Sequence, residues 1–249
     1  MIARMQTRRS EGIVLRRFKS GEADRVLVIL TAEYGKIRAV ARSVRRTRSK
    51  LGGHLEPLAE THLDMVEGRG ELWTVTGARL LAQREFSIEA LAAAFRAAEL
   101  TDQFLPDGQA APEIYLALKG LLAQLSDGGD PDLLLLGFIF TLLNQAGLQP
   151  VLEQCVVCRQ SLVEGSFSAR GGGMSHPVCL SGEVGIQLSE TEVRELRGLL
   201  VGRTITPSDE SLRRLRLVET DLLNHALSRA LKSDGFAKTV KQLSPGGIK

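Results

Sequence analysis

"RVLVILTAEYGKIRAVAR", residues 25–42, holds two strand-length runs rich in Val, Ile and Leu, joined by Ala32-Glu33-Tyr34-Gly35. A glycine closing a short polar connection between two such runs is a hairpin signal. Side chains alternate faces along a strand, so Lys36, Arg38, Val40 and Arg42 are expected on one face, with Ile37, Ala39 and Ala41 turned to the core.

Working outward, "GIVLRRF" (12–18) precedes this hairpin, and "THLDMV" (61–66) and "ELWTVTGARLL" (71–81) follow it, the last two joined by "EGRG" (67–70). With no crossover helix between them, these runs disfavour a parallel α/β sheet. Five short strands within about seventy residues predict a small barrel, and the OB-fold is the common five-stranded example.

After Ser87 the texture becomes helical. "SIEALAAAFRAAELTDQFL" (87–105) has a serine N-cap, Pro112 opens a second helix ending near 126–130, and a third has Asp130 as cap, Pro131 in its first turn and Gly147 beyond its end. "SETE" (189–192) reads as a capping box, and a last helix is expected over 209–232. The fold class is thus α+β and multidomain. An OB-fold domain is expected over 1–82, an α-helical body over 83–152 and 183–249, and a metal-binding insertion over 153–182.

The net charge of +3 hides a strong polarity: residues 1–54 hold fourteen Lys and Arg against four Asp and Glu, a net +10, and the rest carry eighteen against twenty-five, a net −7. Such asymmetry points to a polyanion partner for the N-terminal module. Behind the hairpin, "RSVRRTRSKLGG" (42–53) extends the cationic face with Arg45, Arg46, Arg48 and Lys50 on a segment of small residues. Arginine's planar fork suits phosphate oxygens. Only Phe18, Tyr34 and Trp73 offer stacking groups there, so binding is expected to be directed at the backbone and indifferent to sequence.

The chain has three cysteines, and all fall in two knuckles: Cys155 and Cys158 in "CVVC", then His176 and Cys179 in "HPVC", seventeen residues on. Cys3His is a full tetrahedral set, which predicts one structural zinc per chain with no open position for catalysis. No phosphate-binding Gly-Lys loop, nucleophile elbow or His-Glu-x-x-His helix is present; "HLEP" (54–57) is half of a zinc-deaminase signature whose other half fails, because Gln154 precedes Cys155. A non-enzyme is expected. The apolar run "LLLLGFIFTLL" (133–143) is about half the roughly twenty residues of a membrane span, and no signal peptide is seen, so a cytoplasmic, nucleoid-associated protein is expected.

The ordered parts within "EGIVLRRFKSGEADRVLVILTAEYGKIRAVARSVRRTRSKLGGHLEPL", then helices, a knuckle pair and "HALSRALKS", resemble the RecO family of bacterial DNA repair and recombination mediators. The resemblance implies binding of single- and double-stranded DNA, annealing of complementary strands, and loading of recombinase onto strands covered by single-strand binding protein, together with RecR. It places DNA contacts on Lys36, Arg38, Arg42, Arg45, Arg46, Arg48 and Lys50, and metal ligands on Cys155, Cys158 and Cys179. His176 stands where zinc-bearing relatives usually have a fourth cysteine. The residues alone also admit a zinc-ribbon scaffold whose basic domain binds RNA or a protein without annealing.

Overall fold

The computed structural model describes residues 7–46, 49, 51–68, 72–180, 185–203 and 205–226. It divides into two compact units, one ending at Leu134 and one beginning at Leu135, a boundary inside the third helix.

The first unit contains β1 (Thr7–Ser20), β2 (Asp24–Thr31), β3 (Gly35–Ala41), β4 (Glu60–Glu67) and β5 (Leu72–Ala82), which close into a barrel in the order β1-β2-β3-β5-β4. All pairings are antiparallel except β3 with β5. Strand β1 closes the barrel because it serves two partners: Thr7–Ile13 pairs with β4 and Gly12–Ser20 with β2. The handover lies at Gly12, where an added Cβ would sit 2.8 Å from Ile29 Cγ2 and 3.0 Å from Leu63 Cδ1. An irregularity between Val14 and Arg16 then bends the strand.

Inside lie Val14, Leu27, Ile29, Ile37, Ala39, Ala41, Val44, Leu55, Leu63, Met65 and Val75. The inward parity expected for Ile37, Ala39 and Ala41 is observed. Strand β1 begins at Thr7, five residues before the expected Gly12, because "TRRSE" gains its ladder from β4 and carries no apolar alternation of its own.

Helices α1 (Ile88–Phe104) and α2 (Pro112–Ser126) cluster with the barrel, and α1 packs on both β1 and α2. The buried face of α1 is largely alanine (Ala90, Ala93, Ala94, Ala97, Ala98), which permits close approach. Ser87 Oγ accepts from Ala90 N at 3.2 Å, and Asp130 Oδ1 accepts from Asp132 N and Leu133 N at 2.9 Å, so both expected caps form. The turn glycine Gly35 has φ +67°, and a Cβ there would lie 1.8 Å from Gln109 O; the α1–α2 connection lies directly against the start of β3.

The second unit contains the rest of α3 (Pro131–Gln145), a three-stranded sheet of β6 (Gly165–Ser168), β7 (Gly173–Ser175) and β8 (Ile186–Leu188) in the order β7-β6-β8, and helices α4 (Glu190–Leu200) and α5 (Asp209–Ala226). The capping box forms: Ser189 Oγ takes the Glu192 N–H and the Glu192 carboxylate takes the Ser189 N–H at 2.7 Å. Positions 227–232 of the expected last helix lie outside the described residues. Arg197 on α4 donates to Leu152 O at 2.5 Å and Leu162 O at 3.2 Å, and Asp221 on α5 accepts from Ala169 N at 2.7 Å. Those bonds anchor the cysteine-bearing segment.

Candidate nucleic-acid interface and metal centre

The basic residues of the hairpin divide into two groups. Lys36, expected on an exposed face, is 5% exposed; its Nζ lies 3.1 Å from Asp102 Oδ1 and 3.0 Å from Asp107 Oδ1, and donates to Asp102 O at 2.5 Å. Arg38 bonds Asp107 Oδ2 at 2.8 Å, and Arg16 bonds Asp102 Oδ2 at 2.8 Å. Burial works to raise the Asp107 carboxyl, but hydrogen bonds from Arg38 and Lys36 outweigh it and hold the group below the usual carboxylate range. These cations tie β3 and β1 to the end of α1 and the loop after it. Lys36 follows the strand's outward parity, but its charge is spent internally.

Arg42, Arg45 and Arg46 are exposed, and among the described residues no carboxylate lies within ion-pair distance of any of them. Arg45 Nη1 donates to Glu22 O at 2.9 Å and Gly21 O at 3.4 Å, and Ser43 N donates to Asp24 Oδ1 at 2.7 Å. Both contacts hold the segment after β3 against the β1–β2 turn. The Arg45 partners are neutral carbonyls, so its charge is uncompensated. Arg48 and Lys50 lie outside the described residues. Elsewhere on the barrel, Arg9 pairs with Asp64 at 3.0 Å, and Arg17 and Arg25 share Glu56.

The three aromatic candidates also separate. Tyr34 and Trp73 pack on each other with centroids 5.3 Å apart and rest against the barrel core. Phe18 is 41% exposed, with the Arg16 guanidinium 4.9 Å from its ring centroid.

In the second unit, ligand atoms of Cys155, Cys158, His176 and Cys179 all lie within 4.8 Å of one another, and Cys158 Sγ is 3.4 Å from His176 Nδ1. Bond lengths of about 2.0–2.3 Å to a tetrahedral metal give ligand separations of about 3.5–3.8 Å, so a small contraction closes the set. Each knuckle is locally built: Arg159 takes φ +64° and donates its N–H to Cys155 O at 2.9 Å, while Cys179 N bonds His176 O at 2.9 Å. Gly173, with φ +146°, lets β7 lie against Val151, whose carbonyl oxygen would be 2.1 Å from an added Cβ.

Burial works to raise the Cys155 thiol, but N–H groups of Cys158, His176 and Val157 outweigh it and bring it down to about 6. Cys179 is pushed up to about 11, by burial first and then by the thiols of Cys158 and Cys155. The cradle of N–H groups therefore favours a thiolate at Cys155, and further thiolates need a cation to offset their repulsion. The cluster can hold a metal ion.

A closed barrel of OB order, a helical region and a Cys3His knuckle pair, in this chain order, define a class of OB-fold protein with a Cys/His cluster, able to hold a metal ion, set among C-terminal helices. Comparison with known proteins names the family. The model described as "Recombination protein O N terminal" matches residues 5–84, and "Recombination protein O C terminal" matches 85–235. The protein named "DNA repair protein RecO" from Cutibacterium acnes is 35% identical over 222 residues, covering 85% of this chain and 89% of that one. The one from Roseiflexus sp. is 32% identical over 246 residues, 94% of this chain and 86% of its own. Dehalococcoides mccartyi has a relative 34% identical over 194 residues, 76% of each. This chain belongs to the RecO family of DNA repair proteins. Among the described residues, no helix is long and apolar enough to cross a membrane.

Proposed function

We propose that this protein is a recombination mediator that acts without covalent chemistry: it binds single- and double-stranded DNA, anneals complementary strands and, with RecR, helps load recombinase onto strands covered by single-strand binding protein. The observation that carries this reading is the exposed trio Arg42, Arg45 and Arg46, without carboxylate partners among the described residues, on the barrel of a chain in a DNA repair family. Guanidinium groups on a sugar-phosphate backbone displace condensed counterions and reduce repulsion between two strands. Contacts restricted to phosphates leave base edges free to pair. Arg48 and Lys50 belong to the same proposed surface by sequence. Lys36 and Arg38 contribute by fixing the strand from which that surface extends.

Zinc is the metal proposed for Cys155, Cys158, His176 and Cys179. Three thiol groups and one imidazole suit its tetrahedral preference. Bound there, zinc would neutralise the thiolates and pin the two knuckles together, a structural role.

The test is annealing of complementary labelled oligonucleotides, bare and coated with single-strand binding protein. Acceleration in both settings, abolished by neutralising the trio, is the expected result. Binding without acceleration would favour the scaffold reading instead.

A further inference from the structure

Phe18 stands in an outward row that crosses the barrel. The register pairs Phe18 with Val26, Val26 with Val40 and Val40 with Thr74, so these four share one face of β1, β2, β3 and β5. Leu27, Ile29, Ala39 and Ala41, at alternate positions, fill the core, which fixes this row as outer. Val26, Val40 and Thr74 are half-buried and Phe18 is 41% exposed. The row on one side holds Arg16, Val28 and Arg38; the row on the other pairs Ser20 with Asp24, and Arg42 follows the end of β3. Asp24 is engaged by Ser43 N, and Arg42 is exposed.

A single exposed apolar side chain is ordinary on a protein surface. Phe18 differs in how it is held. Strand pairing fixes its backbone, and Arg16, itself bonded to Asp102, lies 4.9 Å from the ring centroid. Arg45, bonded to the carbonyls of Gly21 and Glu22, brings a guanidinium without a carboxylate partner among the described residues to the turn that follows Phe18's strand. A fixed aromatic ring and a free cation thus lie along one end of β1, which matches the flat bases and charged backbone of a single polynucleotide strand. Arg42, Arg45 and Arg46 are exposed on the segment that Arg45 and Ser43 hold against the β1–β2 turn, and their charge favours a polyanion over an apolar peptide segment.

We propose that Phe18 is a stacking platform for a base of single-stranded DNA, with the Val26–Val40 row as its floor and the Arg42–Arg46 segment holding the adjoining phosphates. The proposal rests on the DNA-binding reading above and refines it. Stacking engages the face of a base and leaves its pairing edge open, so it is compatible with annealing. In a duplex the faces are already stacked on neighbouring bases, so Phe18 adds nothing there and raises the preference for single strands.

The experiment compares the full chain with Phe18→Ala, Phe18→Leu and Phe18→Trp, measuring anisotropy on an oligodeoxythymidylate, an abasic strand of equal length and a duplex. Melting curves confirm that each variant is folded. Ala and Leu variants should lose about five- to a hundredfold in affinity for the thymidylate and nothing on the abasic strand or duplex, with Trp retaining binding. An Ala or Leu variant that binds thymidylate as the unaltered protein does, or loses equally on the abasic strand, overturns the stacking role and leaves DNA binding intact. If the unaltered protein binds none of the three, the parent reading falls instead.

Discussion

Replacing Arg42, Arg45 and Arg46 together with alanine removes three neighbouring exposed cations that have no carboxylate partner among the described residues, and leaves Arg8, Lys19 and Arg79 elsewhere on the barrel. Each phosphate contact to a single strand contributes about 0.7 to the slope of log affinity against log salt, so three lost contacts reduce its magnitude by about 2. Referred to 1 M salt, the same three contacts are worth about two log units at 0.1 M, or roughly a hundredfold in affinity. The assay is anisotropy of a labelled strand across salt concentrations of about 50–300 mM, with a triple lysine variant as the charge-retaining control. The lysine variant should keep the slope and lose only what depends on guanidinium geometry. An alanine variant that weakens binding with an unchanged slope would refute the reasoning, because the loss would then come from altered loop structure, through the Arg45 bonds to Glu22 and Gly21.

Other perturbations separate support from contact. Lys36→Met leaves Asp102 and Asp107 without their ammonium partner in a largely buried site and should cost about 3–5 kcal/mol in chemical denaturation, with the salt slope unchanged. Asp107, held below the usual carboxylate range, contributes stability that is present above its unfolded pKa and is lost as pH falls through its folded value; Asp107→Asn should flatten that part of the acid limb of a stability–pH curve. Gly12→Ala forces a methyl against Ile29 and Leu63 and should lower stability by about 1–3 kcal/mol in a urea titration. Metal analysis of protein purified without added metal should give one zinc per chain, and Cys158→Ser should abolish it and lower the melting temperature without changing the salt slope of DNA binding.

What was legible in the sequence was local. The hairpin around Gly35, the caps at Ser87, Asp130 and Ser189, and the paired knuckles each depend on residues a few positions apart, and each forms as its spacing implies. Strand parity placed Ile37, Ala39 and Ala41 correctly but could not show that Lys36 is buried. Its partners Asp102 and Asp107 are contributed by the end of α1 and the loop beyond, more than sixty positions away, so no window around the hairpin contains them. For the same reason the N-terminal charge of +10 overstates the exposed field: Arg9, Arg16, Arg17, Arg25, Lys36 and Arg38 are all bonded to carboxylates. The start of β1 was hidden because "TRRSE" is held by its partner strand, and Phe18 could be told from Tyr34 and Trp73 only once burial was known.

Hydrogen–deuterium exchange of the full chain, with and without a bound single strand, tests most directly whether DNA lies along the barrel. Protection should appear in β1 to β3 and in residues 42–46, with the knuckles at 155–179 unchanged. Protection confined to the knuckles or to α4 and α5, with the barrel exchanging as it does alone, would contradict the account.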